Sequence, residues 1–306
     1  MKRDYLSVDD LTQEELIALL DLAAKVKSEP EGYAGRLHGR AVAMIFEKPS
    51  TRTRVSFEVA AASAGAHPVA LSSAELQLGR GETIEDTGRV LSRYVDAVVL
   101  RTFEQERLEL LAAASSIPVI NALSDFEHPC QCLADLLTVR EIKGELKGRT
   151  LAYLGDGNNV THSLLLGCTK AGMRIRVATP PGFEPIPQVV HRAHEIATQT
   201  GGAVEMVLDP AEACSGADVL YTDVWASMGQ EGEADERALV FRAYQLNERM
   251  VKLAAPDVTV LHCLPAHRGQ EITDEVIDGP HSAVWDQAEN RMHTQKALLL
   301  FLLGVA

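Results

Sequence analysis

The chain has 306 residues, of which 46% are hydrophobic, 24% charged and 5% aromatic. This length fits one large domain or two ordinary ones. The composition is that of a globular protein and excludes a disordered chain, a collagen-like fibre and a small disulfide-stapled domain. With 29 basic and 43 acidic residues the formal charge is −14. The mean field therefore repels nucleic acid and acidic membranes, and a small anionic substrate would need a local cluster of arginines.

Cysteine usage and the N-terminus indicate the compartment. The five cysteines are odd in number and irregularly spaced, which is not the pattern of a disulfide framework. A reducing cytoplasm is the simplest interpretation. The first residues lack the apolar core of a signal peptide, and no run of about 18 apolar residues occurs, so we expect no membrane span.

Apolar runs and amphipathic stretches alternate along the first half of the chain. Thr12 and Glu15 form a capping box that opens the first helix. The last helix of this half ends at a Lys-Gly pair, a typical C-cap. Strands are predicted at 41–46, 69–71, 97–101 and 119–121, and helices at 53–64, 83–94, 104–114 and 130–143.

A second series of elements follows. Strands are predicted at 151–154, 175–178, 204–207, 219–221 and 258–262, and helices from about 158 to 171 and at 187–199, 241–254 and 283–303. We therefore expect an α/β protein made of two doubly wound parallel-sheet domains, with the active site in the cleft between them. The first domain would be 1–143 completed by 283–306, and the second 150–282.

The segment 50–54, Ser-Thr-Arg-Thr-Arg, stands where a buried strand gives way to a helix. A helix N-terminus offers unpaired N–H groups, and guanidinium groups suit phosphate, so this is a candidate phosphate site. An ordinary N-cap beside two solvated arginines explains the segment equally well. Arg101 ends the strand predicted at 97–101 and His128 follows the strand predicted at 119–121, and parallel strands would bring all three to one sheet edge. This convergence favours a binding site.

A turn that begins at Gly155 resembles a dinucleotide-binding loop, but only weakly. Val160 replaces the third glycine of that pattern, and the next strand ends without an acidic residue to hold a ribose. A nicotinamide cofactor is therefore disfavoured. The chain also lacks the glycine-rich lysine loop of P-loop nucleotide hydrolases.

Asp223 and Cys263 follow neighbouring strands of the second series. A carboxylate beside a thiol is suited to a cationic amine. Two alternatives remain for Cys263: a small buried hydrophobic residue, or a nucleophile paired with His262 or His267.

Six segments in one order and spacing carry a resemblance that covers essentially the whole chain. They are 50–54, 101–103, 128–131, 223–229, 262–265 and 290–296. The chain resembles the aspartate/ornithine carbamoyltransferase family. It is similar to the ornithine branch, because Cys-Leu-Pro stands at 263–265 where the aspartate branch has Pro-Leu-Pro.

The resemblance implies transfer of the carbamoyl group of carbamoyl phosphate to the δ-amine of L-ornithine, giving L-citrulline and phosphate in arginine biosynthesis. No metal or organic cofactor is implied. The implied catalytic residues are Cys263, Arg101, His128 and Asp223. The implied carbamoyl phosphate contacts are Ser50, Thr51, Arg52, Thr53, Gln77, Arg101, His128, Gln131, Cys263, Leu264 and Arg291. The implied ornithine contacts are Asn159, Asp223, Ser227 and Met228.

The resemblance also implies an assembly. Gln77 would reach a neighbouring subunit's site, which requires a homotrimer or a multiple of trimers. Two alternatives stay open: another amine acceptor, such as putrescine or an N-acylated ornithine, and a catalytically silent binding protein. Either Cys263 or the departing phosphate would take the proton of the amine.

Overall fold

The computed structural model describes residues 2–72, 81–226, 232 and 234–306. It forms two compact units, Met1–Ala134 with Asn290–Ala306, and Asp135–Glu289. Among the described residues, no helix is both long and apolar enough to cross a membrane.

The first unit is built on a four-stranded parallel sheet with the order β2-β1-β3-β4. Its strands are β1 Ala41–Phe46, β2 His67–Ser72, β3 Ala97–Arg101 and β4 Val119–Leu123. Its helices are α1 Gln13–Ser28, α2 Thr51–Ser63, α3 Ile84–Leu91, α4 Gln105–Ala114 and the first residues of α5 Pro129–Lys143. Strands β1, β3 and β4 are apolar runs that are mostly buried, as a sheet covered by helices requires, whereas the edge strand β2 is only partly buried.

The second unit is built on a five-stranded parallel sheet with the order β7-β6-β5-β8-β9. Its strands are β5 Thr150–Leu154, β6 Arg174–Ala178, β7 Ala203–Val207, β8 Val219–Thr222 and β9 Thr259–His262. Its helices are α6 Asn159–Lys170, α7 Pro187–Thr200, α8 Pro210–Cys214, α9 Ala234–Phe241, α10 Glu248–Leu253, α11 Asp274–Ile277 and the start of α12 Val284–Leu302.

Each sheet has one point at which the chain reverses its direction of winding. In the first unit this point lies between β1 and β3, and in the second between β5 and β8. Ligands of open α/β sheets bind outside the carboxyl ends of the strands at such a point. The strand order therefore selects the segments after β1, β3, β5 and β8 as the places to look for a site.

The two parallel-sheet α/β domains expected from the sequence are confirmed. The units divide at residues 134/135 and 289/290, within α5 and α12, whereas the sequence placed the boundaries at 143–150 and 282/283. The Lys143–Gly144 signal marks where a helix stops, and it carries no information about which unit each turn of that helix packs against.

The prediction of a single helix at 241–254 is wrong. The chain forms α9, a 3₁₀ turn at Arg242–Tyr244 and then α10. Between them Leu246 donates its N–H to the Glu271 carbonyl at 2.8 Å, which holds this stretch extended. Asn247 then caps a new helix by accepting from the N–H groups of Arg249 and Met250. A side chain that caps a helix start competes with continuation of the preceding helix.

Candidate active site

The first half-site lies where β1 passes into α2. Ser50 is the N-cap of α2, and its hydroxyl accepts the N–H of Thr53 at 3.2 Å. Thr51 and Arg52 are exposed in the first turn of the helix. The first N–H groups of the helix and the positive end of its dipole therefore lie at the turn that carries Arg52, which suits an anion.

Two further arginines of this unit converge on Thr53. Arg101, at the end of β3, donates Nη1 to the Thr53 hydroxyl at 3.5 Å, and Arg291, on α12, donates Nη2 to it at 2.7 Å. All three side chains are buried. Thr53 therefore serves as the common acceptor that orients two guanidinium forks beside the start of α2.

His128 lies in the same unit and is neutral. Burial, reinforced by three neighbouring guanidinium groups, holds the pKa of its imidazole well below the usual range. The three groups belong to Arg291, Arg101 and Arg52. A neutral imidazole in this place can donate one N–H to a carbonyl oxygen without adding a positive charge. Gln131, on the first turn of α5, is buried and is tied to His128 through a 3.0 Å bond between their backbones.

The loop between β1 and α2 is held by two polar residues that the sequence analysis missed. Glu47 accepts from Arg107 Nε at 3.1 Å and from the Thr102 hydroxyl. Lys48 is buried, pairs with Asp125, and places its ammonium 4.2 Å from the centre of the Phe103 ring. The sequence did carry one sign of this role, because Glu47 and Lys48 form a charged pair shortly before the Ser-Thr-Arg-Thr-Arg segment.

Arg54 differs from Arg52. Its guanidinium is exposed and pairs with Glu58 one turn further along α2 at 2.9 Å. It is not among the groups whose charge acts on His128. The structure therefore separates two arginines that the sequence pattern treats alike.

The second half-site begins with the glycine-rich turn after β5. Gly155 has φ +140°, a conformation that L side chains rarely adopt, and a Cβ on Gly157 would lie 2.3 Å from the Pro185 backbone nitrogen. Backbone geometry and packing thus explain both glycines. Asn158 caps α6 through its Oδ1 and donates Nδ2 to Asp223 at 2.8 Å. Its amide is engaged at both ends by the protein.

Asp223 and Cys263 are in direct contact. The Cys263 thiol donates to Asp223 Oδ1 at 2.9 Å, while Asp223 Oδ2 accepts from Asn158. Asp223 is buried and Cys263 is half-buried. The Asn159 side chain, next to the cap of α6, is half-buried as well. The ends of β5, β8 and β9 therefore bring an amide, a carboxylate and a thiol together, as the parallel register predicted.

The turn that carries Cys263 is shaped by His262. The His262 Nδ1 atom accepts the Leu264 N–H at 2.8 Å, and Nε2 lies 3.1 Å from Glu271 Oε1, so the proton is on Nε2. Leu264 has φ +58°, in the left-handed region that is costly for a branched residue. The His262 bond to the Leu264 N–H helps to hold this conformation.

Three potential metal-ligand atoms lie within 4.8 Å of one another, on Asp223, His262 and Cys263. Both ring nitrogens of His262 are already engaged by the Leu264 N–H and by Glu271. An ion bound here would displace one of those hydrogen bonds, so the donor set does not fit a resident metal.

An ion pair that the sequence analysis missed supports the same half-site. Arg237 donates Nη1 to Asp156 Oδ2 at 3.0 Å and to the Trp225 carbonyl at 2.7 Å. Burial raises the pKa of the Asp156 carboxyl to about 6; Arg237 opposes this shift and the charge of Asp223 adds to it. No local pattern marks this pair, because its members are 81 residues apart.

The structure thus groups the expected site residues by unit. Thr53, Arg101 and Arg291 are in contact through the Thr53 hydroxyl in the first unit, and Arg52, Arg101 and Arg291 are the charges that act on His128. Ser50 and Thr51 lie at the start of α2, and Gln131 lies in the first turn of α5. Asn159, Asp223, Cys263 and Leu264 follow the strand ends of the second unit. Gln77, Ser227 and Met228 lie outside the described residues.

Family models identify both halves of the chain. Residues 3–141 match the carbamoyl-P binding domain of aspartate/ornithine carbamoyltransferase, and residues 147–302 match the Asp/Orn binding domain. A two-domain carbamoyltransferase is the class of protein that both the fold and these matches define.

Individual relatives carry a more specific name, ornithine carbamoyltransferase. The chain is 62% identical over 304 residues to an ornithine carbamoyltransferase of Parafrankia sp., covering 98% of this chain and 96% of the relative. It is similar to the solved ornithine carbamoyltransferase of Pyrococcus furiosus, with a TM-score of 0.96, 54% identity, and coverage of 99% and 97%. An anabolic ornithine carbamoyltransferase of Campylobacter jejuni gives a TM-score of 0.92 at 38% identity, with 98% of each chain covered. The chain belongs to the aspartate/ornithine carbamoyltransferase family.

Proposed function

We propose that this chain transfers the carbamoyl group of carbamoyl phosphate to the δ-amine of L-ornithine, giving L-citrulline and phosphate. The observation that carries the choice of acceptor is the Asp223–Cys263 contact at 2.9 Å. A carboxylate and a thiol at the ends of β8 and β9 suit an amine, and the carboxylate would repel the second carboxylate of aspartate. The names of the relatives from Parafrankia and Pyrococcus support the same acceptor.

Carbamoyl phosphate would bind at the start of α2. Its phosphate would accept hydrogen bonds from the free N–H groups of the first turn, from the hydroxyls of Ser50 and Thr51, and from the Arg52 guanidinium. Arg101 and Arg291, oriented by Thr53, would place their charges beside it. This cluster reverses the acidic field of the whole chain at the place where an anion must bind.

The carbonyl oxygen of carbamoyl phosphate would be polarised by Arg101 and His128. Because His128 is neutral, its N–H acts as a hydrogen-bond donor, and Arg101 supplies the positive charge. Both donors would hold the negative charge that develops on this oxygen in the tetrahedral intermediate. Gln131 would hold the carbamoyl amide.

Ornithine would be held by the second half-site. Asp223 would bind the δ-amine of ornithine. Asn159, Ser227 and Met228 would bind its amino-acid end. The δ-amine must lose a proton before it attacks, and its ordinary pKa is about 10.4, like that of lysine. The site must therefore provide a path for that proton.

The direction of the Cys263 hydrogen bond suggests such a path. The thiol donates to Asp223, so a proton taken up at sulfur from the amine can be balanced by passing the thiol proton to Asp223 Oδ1. The thiol is unchanged after this exchange, and Asp223 carries the proton until phosphate or water removes it. The neutral amine then attacks the carbonyl carbon, and the bond to phosphate breaks.

The names of the relatives support a proposal about the physiological role. Two of them, from Pyrococcus furiosus and Campylobacter jejuni, are named anabolic, which supports a role in arginine biosynthesis. We place the chain in the cytoplasm, in keeping with its free cysteines. We propose a homotrimer, or a multiple of trimers, in which Gln77 serves a neighbouring site.

A substrate panel tests the reaction. The purified protein is given carbamoyl phosphate with L-ornithine, putrescine, N-acetyl-L-ornithine or L-aspartate, and both ureido product and phosphate are measured. We expect L-citrulline from L-ornithine at a far higher kcat/KM than any other product. Faster use of another acceptor would replace the proposed substrate, and tight carbamoyl phosphate binding without any product would indicate a silent binding protein. Asp223→Asn is the matched variant. It keeps the shape of the side chain but removes the charge that would bind the amine, so use of L-ornithine should be lost.

Mixing two inactive variants tests the assembly. Arg101→Leu and Gln77→Ala damage different residues of one site, so a mixture that is dissociated and reassembled should regain activity if Gln77 acts across a subunit boundary. No regain of activity, or a fully active monomer by light scattering, would contradict the shared site.

A further inference from the structure

The outer edge of β9 is covered by the segment that leads into α12. Val260 donates its N–H to the His281 carbonyl at 2.8 Å, and Ala283 donates to the Val260 carbonyl at 2.9 Å. The next outward N–H of this edge strand belongs to His262, and it donates to the Gln287 side chain at 2.9 Å. A side-chain amide thus supplies the last acceptor of this edge, directly before Cys263.

The Gln287 amide can point in one direction only. Its Nε2 donates to Asp135 Oδ1 at 2.7 Å and to the Tyr221 hydroxyl at 3.2 Å, and Tyr221 donates to Asp135 Oδ2 at 3.2 Å. A carboxylate accepts but does not donate, so Asp135 fixes the NH₂ end toward itself and the oxygen toward the His262 N–H. None of the four residues is more than 1% exposed.

We propose that Gln287, oriented by Asp135, is a positioning residue that fixes the Cys263 turn and keeps the thiol on Asp223. Its two ends contact the residue just before Cys263 and the residue two positions before Asp223. Its amide therefore sets both strand ends that meet at the thiol–carboxylate contact. Loss of one member of a buried network leaves the others unsatisfied, so the turn responds strongly to substitution here. The catalytic consequence rests on the proposed function, but the effect on the thiol does not.

The reactivity of Cys263 is the direct readout. Of the five free cysteines, Cys263 is half-buried and the other four are buried. Burial raises the pKa of the Cys130 and Cys214 thiols to about 12, and it raises that of Cys168 as well. The fast phase of the reaction with Ellman's reagent in the native protein therefore reports Cys263.

Gln287→Met keeps the length of the side chain and removes its donors and acceptor. We expect the thiol, released from Asp223, to react about two- to tenfold faster, the ratio that one ordinary hydrogen bond represents. We also expect kcat with L-ornithine to fall about tenfold or more while KM for carbamoyl phosphate changes much less, since the arginine cluster that would bind its phosphate is not altered.

The chain offers a matched control on the same helix. Gln295 is also 1% exposed, and neither of its amide atoms has a hydrogen-bond partner among the residues that the structure describes. Gln295→Met should therefore leave the labelling rate and kcat at their wild-type values. Asp135→Asn keeps an acceptor for Gln287, so it should change both quantities in the same direction but less, and it serves as the test if Gln287→Met does not fold.

A folded Gln287→Met protein with wild-type labelling and wild-type kcat would overturn the proposal, as would an equal change in Gln295→Met. A wild-type enzyme that forms no citrulline would instead refute the proposed function. In that case the labelling comparison would still decide whether Gln287 positions the thiol.

Discussion

The two half-sites are built on opposite charges and by different means. The first gathers the guanidinium groups of Arg52, Arg101 and Arg291 around a neutral histidine at a helix start. The second is centred on the carboxylate of Asp223, whose charge adds to the effect of burial in raising the pKa of the Asp156 carboxyl. Positive charge in one place and negative charge in another match an anionic donor and a cationic acceptor.

The half-sites also differ in what holds them. In the first, the charged groups are themselves held in place, since the Thr53 hydroxyl beside the start of α2 accepts from Arg101 and Arg291 across 48 and 238 positions. In the second, bonds from neutral side chains hold the strand ends, such as Gln287 to Asp135 across 152 positions. Substitutions in the first should therefore act mainly through charge, and substitutions in the second through position.

The largest expected effect removes charge from the first half-site. Arg101→Leu takes away the cation that would face the developing oxyanion, so kcat should fall by about 10²–10³, as for loss of one such donor. Steady-state kinetics with L-ornithine measures this, and circular dichroism with a thermal melt checks that the fold is kept. Wild-type turnover in a folded variant would remove Arg101 from the catalytic role.

A smaller effect is expected from the thiol in the second half-site. Cys263→Ala removes the group that would relay the amine proton, so kcat should fall about 10²-fold, the lower range for a general acid–base group. Carbamoyl phosphate binding, followed by calorimetry, should change much less than kcat, because the arginine cluster that would bind the phosphate is intact. Unchanged kinetics would exclude Cys263 from the mechanism and favour the departing phosphate as the proton acceptor.

The same contrast explains what the sequence could predict. The placement of Ser50, Thr53, Arg101 and Asp223 at sheet edges was predictable, because each stands at or just after a strand end and parallel strands bring their ends to one edge. The strand order, which places each half-site at a winding reversal, was not needed for those predictions but agrees with them.

The supporting residues could not be predicted in the same way. Lys48 meets Asp125 across 77 positions, and Arg237 meets Asp156 across 81. Hydrophobic periodicity and local motifs carry no information about such pairings, which depend on how loops pack after the sheet has formed.

The acidic character of the second half-site makes it sensitive to pH. Burial raises the pKa of Asp156 to about 6, so the folded state holds this proton more tightly than the unfolded chain, whose carboxyl titrates near 4. The contribution of this group to stability is therefore present at low pH and is lost as pH rises through about 6, a change of about 2 kcal/mol between pH 4.5 and 7. Asp156→Asn should lack this change. Urea unfolding of both proteins at the two pH values gives the difference, and equal pH dependence would show that the Asp156 pKa is ordinary.

The smallest expected effects compare two arginines that are neighbours in the sequence. Arg52 contributes to the charge around His128, whereas Arg54 is exposed and paired with Glu58 at 2.9 Å. Arg52→Gln should raise KM for carbamoyl phosphate about tenfold, as expected for a charged hydrogen bond at the first turn of a helix.

Arg54→Gln should leave KM unchanged and lower the unfolding free energy by about 0.5 kcal/mol at most, since it removes an exposed pair one helical turn apart. The two variants change the overall charge equally, so a difference between them measures local position and not the mean field. Equal increases in KM would instead mean that general positive charge around α2 attracts the donor substrate. That would remove the basis for treating the first half-site as a defined phosphate cradle.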